Sequence, residues 1–314
     1  MAAGALLVKR ADGVSAVAAG SHVLLVLFPV WLAAAGAPGF HWVFLWLWFG
    51  LTMSGLLNLM HECAHYHTFQ RRWACDLLGR WVLGPLALAD FEGYRHRHWK
   101  HHTRFGQPDD TKDAYLISIR GWNLALFFLR SLLAVEALRK FRQQTGGKQE
   151  GLSQGSAATL LRIGMAQGIF LGSLFLSAWA FHPDLSQAVF SSLAAYIGVY
   201  GYGLASLTVL AANMRAIAEH QIGADDAPAT GRAALRNFSC NHLTRLVLGA
   251  YGFGEHATHH LQPGIPYYHL RRATAEAAAG DRSLRPGPGY VATLTMMIRR
   301  PRGLASPAAS RGAG

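Results

Sequence analysis

Forty-nine consecutive residues, Gly13 to His61, contain no Asp, Glu, Lys or Arg. A run this long without charge suits two membrane crossings of about 20 residues each and is foreign to soluble domains, where about a quarter of residues are charged. Pro38 and Gly39 interrupt it after Ala37, where a helical hairpin should turn. A second apolar run, Ile163 to Met214, carries one charge, Asp184, beside His182 and Pro183, and divides in the same way. The sequence therefore predicts an all-α integral membrane protein with four transmembrane helices, near residues 14–36, 40–60, 158–181 and 187–213. Composition agrees, with 51% of the 314 residues hydrophobic and 15% charged.

The charges that remain are unevenly placed. Of 29 Lys and Arg, two precede the first span, 14 lie from Arg71 to Lys148, 12 lie from Arg215 onward, and Arg162 sits at the edge of the third span. Basic residues accumulate on the cytoplasmic side of short-looped membrane proteins. Both termini, and a helical cap formed by residues 61–157 and 214–298, are thus expected in the cytoplasm, at the inner membrane if the cell is bacterial. The net charge of +12 does not point to nucleic acid, because no basic patch is interleaved with aromatics in a binding motif. Lipid headgroups and an acidic protein partner account for it better. Cys63, Cys75 and Cys240 form no CxxC pair and imply no disulfide framework. Lys9, Arg10 and the apolar stretch behind them faintly resemble a signal peptide, but the second span follows too soon for that reading.

Along the chain, the second span shows no breaker before its histidines, so one helix is expected from Phe40 to His67, roughly 42 Å long and about 12 Å longer than the hydrocarbon core. Trp73 to Phe91 is apolar but interrupted by charge, Gly and Pro, and reads as interfacial or re-entrant. Asn123 to Phe141 is amphipathic, with Arg130, Glu136, Arg139 and Lys140 on its polar face, as in a helix lying on the membrane surface. The stretch QQTGGKQEGLSQGS reads as a polar linker, and another polar loop is expected at 223–231. The fourth span again runs without a stop into His220. The tail, 299–314, has the composition of a disordered segment, and the rest of 1–314 reads as one domain.

Nine of the sixteen histidines fall in four short segments: His61 and His65; His98, His101 and His102; His220; and His256, His259 and His260. Spacings of three and four put imidazoles on one helical face. A lone histidine near an interface is usually structural, but this set is too patterned for unrelated core residues. Neutral imidazole suits Zn, Cu, Fe and Ni. Nine donors exceed what one ion can take, whereas two metals with four or five nitrogens each fit the count. Such a pair with open positions is suited to binding O2.

These segments resemble the three histidine boxes of the membrane fatty acid desaturase and hydroxylase superfamily. The boxes correspond to His61–His65, His98–His102 and His256–His260, and the surrounding WKHHTRFGQPDD and EHATHHLQPGIPYYHL are similar to the family's text. The resemblance runs from about the second span to Tyr268 and leans toward a bacterial desaturase-like branch. It implies four spans under a cytoplasmic diiron site, two non-haem irons, O2 as co-substrate, and electrons from an external ferredoxin-, rubredoxin- or cytochrome-type protein. It also implies a membrane lipid or related aliphatic substrate, with His220 as the ligand at the end of the fourth span. An Asn that some relatives carry one turn before that ligand is replaced here by Ala216. Glu62 is expected to orient an imidazole N–H. Glu92, Asp109, Asp110, Glu219 and Glu255 are further candidates, weighed against solvated surface acids. His67, His96 and His242 lie off the pattern.

Within the superfamily, a hydroxylase or ketolase of lipid, carotenoid or small metabolite is the alternative to a desaturase. From another class, His61-Glu62-Cys63-Ala64-His65 matches the HExxH of zinc metalloproteases, although that reading leaves seven histidines unexplained. A metal transporter or sensor would place ionisable groups near the bilayer midplane, and these spans offer few.

Overall fold

The computed structural model describes residues 11–36, 38–105, 107, 109–111, 119, 121–145, 156–220 and 235–299. In chain order the helices used below are α1 (Asp12–Ala35), α2 (Trp42–Ala64), α3 (Arg72–Leu78), α4 (Phe91–Arg104), α5 (Gly121–Leu132), α6 (Val135–Thr145), α7 (Ala157–Phe181) and α8 (Leu185–His220). They continue with α9 (His242–Val247), α10 (His256–Leu261), α11 (Tyr267–Gly280) and α12 (Tyr290–Arg299). Among the described residues the only β pairing is an isolated bridge between Phe238 and Gly287.

Helices α1, α2, α7 and α8 are each long and apolar enough to cross a membrane. With the rest of the fold and the family assignment below, they make this an integral membrane protein. α1 packs on α2 and α7, and α7 on the first part of α8. Small residues allow the closest approaches: a Cβ on Gly50 of α2 would lie 2.3 Å from Leu207 Cβ of α8, so only glycine fits there. Two π-helical turns, Tyr196–Gly201 and Leu204–Thr208, shift the register of α8 without ending it. At 36 residues α8 is roughly 54 Å long, well beyond a 30 Å hydrocarbon core.

Two expectations are corrected. α2 ends at Ala64 rather than His67, because Tyr66 turns left-handed at φ 58° and is held there by Arg95, whose Nη1 donates to the Tyr66 hydroxyl over 2.8 Å. The amphipathic stretch from Asn123 to Phe141 is two helices, α5 and α6, bent by 81° at a break where Ala134 has φ 61°. By composition this bent pair could count as a broken fifth crossing. Arg130 and Arg139 pair with Glu136 at 2.9 and 3.3 Å. The segment after α3 stays helical through a π turn at Gly79–Leu83. Most of the expected polar linker, the loop 223–231 and nearly all of the 299–314 tail lie outside the described residues.

The start of α1 lies on the same side as the ends of α2 and α8. Asp12 Oδ1 accepts from the Gln70 amide at 2.7 Å, and the Tyr268 hydroxyl accepts from the Ala11 amide at 2.7 Å. One end of the bundle therefore carries the N-terminus of α1 together with every histidine-rich segment.

Candidate metal centre

Each imidazole-bearing element is fixed to its neighbours by hydrogen bonds that follow from its own sequence. Asp90 caps α4 by accepting from the Glu92 amide at 3.2 Å, and Trp99 donates to the Ala64 carbonyl at 3.1 Å, docking α4 against the end of α2. Asn58 of α2 donates to the carbonyls of Leu248 and Ala250 at 3.2 and 3.1 Å, bringing the third histidine segment under the same helix end. Asn237 then grips α10, donating to Thr258 Oγ1 at 3.0 Å and accepting from the Thr258 amide at 3.2 Å. The turn before α10 is left-handed at Tyr251 and Gly252, where a Cβ on Gly252 would sit 2.7 Å from Leu270 Cδ1.

The nine histidines picked out by spacing converge. His61, His65, His98, His102 and His259 present nitrogens within 4.8 Å of one another and could hold a metal ion. His101, His220 and His260 form a second such group, and His220 also joins His256 and Glu219 in a third. The nine imidazoles thus sort into five and four.

Proton placement argues for cations in both groups. His101 Nδ1–H donates to Asp110 at 2.8 Å and His220 Nδ1–H donates to the Ala216 carbonyl at 3.1 Å. In the neutral rings both Nε2 atoms then carry lone pairs, yet they face each other at 3.2 Å. A bound cation turns that repulsion into coordination. In the five-membered group, His61 Nδ1–H donates to Glu62 at 2.9 Å, leaving a buried Nε2 without a hydrogen-bond partner. His260 Nε2 is in the same state in the other group. Nitrogens sharing a metal at about 2.1 Å and right angles stand about 3 Å apart. The Nε2 pairs His65–His98, His98–His102 and His102–His259 stand at 2.7, 3.0 and 3.3 Å, and His220–His256 at 3.0 Å. The donor set fits two metal ions. Burial, reinforced by His256, His102, His220 and His101, holds the His260 imidazole well below its usual range, as a neutral ligand requires.

Of the six carboxylates considered, three stand behind imidazoles. Glu62 serves His61, Asp110 serves His101, and Glu219 Oε2 lies 3.7 Å from His256 Nδ1. The others face cations: Glu92 pairs with Arg80, Asp109 lies 3.7 Å from Lys100, and Glu255 lies 3.9 Å from Arg245. His67, set aside in the sequence, is buried; its Nδ1 is 3.4 Å from Glu62 Oε2 and its ring stacks on His65 at 5.2 Å. His61 and His259 of one group and His256 of the other close on the Tyr251–Phe253 turn in a tight seam with no room for a water.

Apolar helices ending in imidazole clusters that could hold metal define a membrane protein with a candidate metal centre. Residues 40–287 match the family model for fatty acid desaturases, and the chain belongs to that family, an oxidoreductase family. It is similar to the sn-1 oleoyl-lipid 12-desaturase of Anabaena variabilis, 31% identical over 88 residues, which is 28% of this chain and 25% of the relative. The protein of the same name from Synechocystis sp. is 33% identical over 57 residues, 18% of this chain and 16% of the relative. The chloroplastic omega-6 fatty acid desaturase of Spinacia oleracea is 22% identical over 261 residues, 76% of this chain and 54% of the relative. The chain therefore spans about half of the longest-matching relative.

Proposed function

We propose that the protein is an O2-dependent desaturase that introduces a double bond into an acyl chain or related aliphatic substrate. Two non-haem irons are held by His61, His65, His98, His102 and His259 on one side and His101, His220, His256 and His260 on the other. The observation that carries this reading is the sorting of nine imidazoles into five and four at one end of the apolar bundle. When bound, the irons supply the reduction of O2 and the removal of two hydrogens from adjacent unactivated carbons, with two further electrons and protons completing two waters.

The protein's own part is to place and shield. α2 and α8 carry His61, His65 and His220 out of the spans, α4 presents His98, His101 and His102, and α10 closes the site with the last three. Glu62 and Asp110 fix two rings by their Nδ1–H bonds, leaving Nε2 as the ligand. The apolar spans give an aliphatic chain its approach to the centre. We read residues 1–314 as one domain and the histidine-bearing end as cytoplasmic, in keeping with its excess of Lys and Arg. Electrons then come from a separate ferredoxin-, rubredoxin- or cytochrome-type protein drawn to that basic face.

Desaturation is preferred to hydroxylation or ketolation because the similar proteins are named as desaturases. The zinc peptidase alternative is disfavoured by Glu62, which stands behind His61 on its Nδ1 side and not where it could activate a water on the metal. Mass spectrometry of lipids and metabolites from expressing cells, with His101→Ala as control, tests the proposal. A new double bond that depends on His101 is expected. An oxygenated product in its place selects the hydroxylase, and one zinc per chain with no iron overturns the reading.

A further inference from the structure

Tyr290 opens α12, beyond residue 287 where the family match ends. It is fully buried, and its ring stacks on Phe238 at 4.0 Å. Its hydroxyl lies 2.9 Å from Glu219 Oε1 and 2.8 Å from the Phe253 carbonyl. Those two acceptors belong to the two elements that bring His220 and His256 together. Glu219 precedes His220 at the end of α8, and Phe253 lies in the turn leading to His256. Glu219 Oε1 also accepts from Arg215 Nε at 3.1 Å, and the Arg215 guanidinium lies over the Phe253 ring at 3.8 Å. With Oε1 engaged in this way, Oε2 is turned toward His256 Nδ1 at 3.7 Å.

We propose that Tyr290 is a positioning residue for the metal centre, its hydroxyl tying Glu219 to the Phe253 turn and so fixing the His256 imidazole against His220. Its single proton, shared between the two acceptors in a three-centre hydrogen bond, thereby joins the end of a membrane span to the segment that closes the site. The role concerns the group containing His220 and His256 and leaves the five-imidazole group untouched. It rests on the two-metal reading above.

The test uses full-length protein in detergent. Iron per chain, iron affinity in competition with a chelator, and Mössbauer spectra are measured for wild type, Tyr290→Phe, Glu219→Gln and the double variant. Tyr290→Phe keeps the ring and its stacking and removes only the O–H. Expected is a loss of about 10-fold or more in affinity for one iron, with a changed signal for that iron alone. Glu219→Gln should lose the same iron, and the double variant should lose no more than the worse single. If Tyr290→Phe fails to fold, Glu219→Gln decides by the same criterion. Two irons bound as tightly in Tyr290→Phe as in wild type overturn the inference alone, as does equal loss of both irons. Fewer than two irons in wild type overturn the functional reading and this inference with it.

Discussion

His101 Nδ1 and Asp110 Oδ1 are 2.8 Å apart with both side chains fully buried. The carboxylate fixes the ring so that Nε2 faces His220. Asp110→Asn should weaken metal binding in that group by about 10- to 100-fold. Chelator competition checks this, and an unchanged affinity would show that the pair is not supporting a ligand.

His61 and His67 share Glu62 and are nearly equally buried, yet His67 lies outside the converging nitrogens. His61→Gln is expected to lose metal from the five-imidazole group and to abolish turnover. His67→Gln should keep both metals with at most a few-fold drop in affinity. Metal content of the two purified variants separates the roles, and metal loss from the His67 variant would add that residue to the ligands.

Gly50 meets Leu207 where α2 crosses α8. Gly50→Ala forces a Cβ into contact at 2.3 Å, and the helices must part. A cost of about 1–3 kcal/mol is expected, read as a lower Tm in detergent. Gly164→Ala, on α7 with open space at its Cβ, should leave Tm unchanged.

Burial pushes the Cys240 thiol up to about 11, with Glu255 adding to it and Arg245 opposing. Alkylation of Cys240 in the folded protein should therefore be slow at pH 8 and rise steeply only toward pH 11. The unfolded chain ionises nearer its ordinary value of 9.0, so it releases the proton first. Stability is expected to fall as pH climbs between those two values. Fast alkylation at pH 8 with the fold intact would contradict the burial of this thiol.

The spans and the histidine segments were legible because both are patterns within single elements. Charge-free runs mark crossings, and spacings of three and four mark one helical face. Two sets of four or five followed from the count, but their membership did not, since His102 joins His259 while its neighbour His101 joins His220 only once α4, α8 and α10 are packed. The carboxylates were legible only in part, for a related reason. Glu62, expected to orient an imidazole, does turn inward to His61, whereas Glu92, a further candidate, turns outward to Arg80. The stop at Ala64 and the break at Ala134 depend on left-handed residues, Tyr66 and Ala134, that no propensity would have picked. Tyr290 carried no signal, being one aromatic among many outside the matched segment.

α2 and α8 end directly at imidazoles, and a helix is stiff along its axis. Lipid that stretches or compresses one of these rods relative to the other is expected to shift His61 against His220, less what the two π turns of α8 absorb. Bilayer thickness would in this sense be a mechanical input to the centre. Reconstitution in short- and long-chain lipids should register at the metals before it registers anywhere else in the protein.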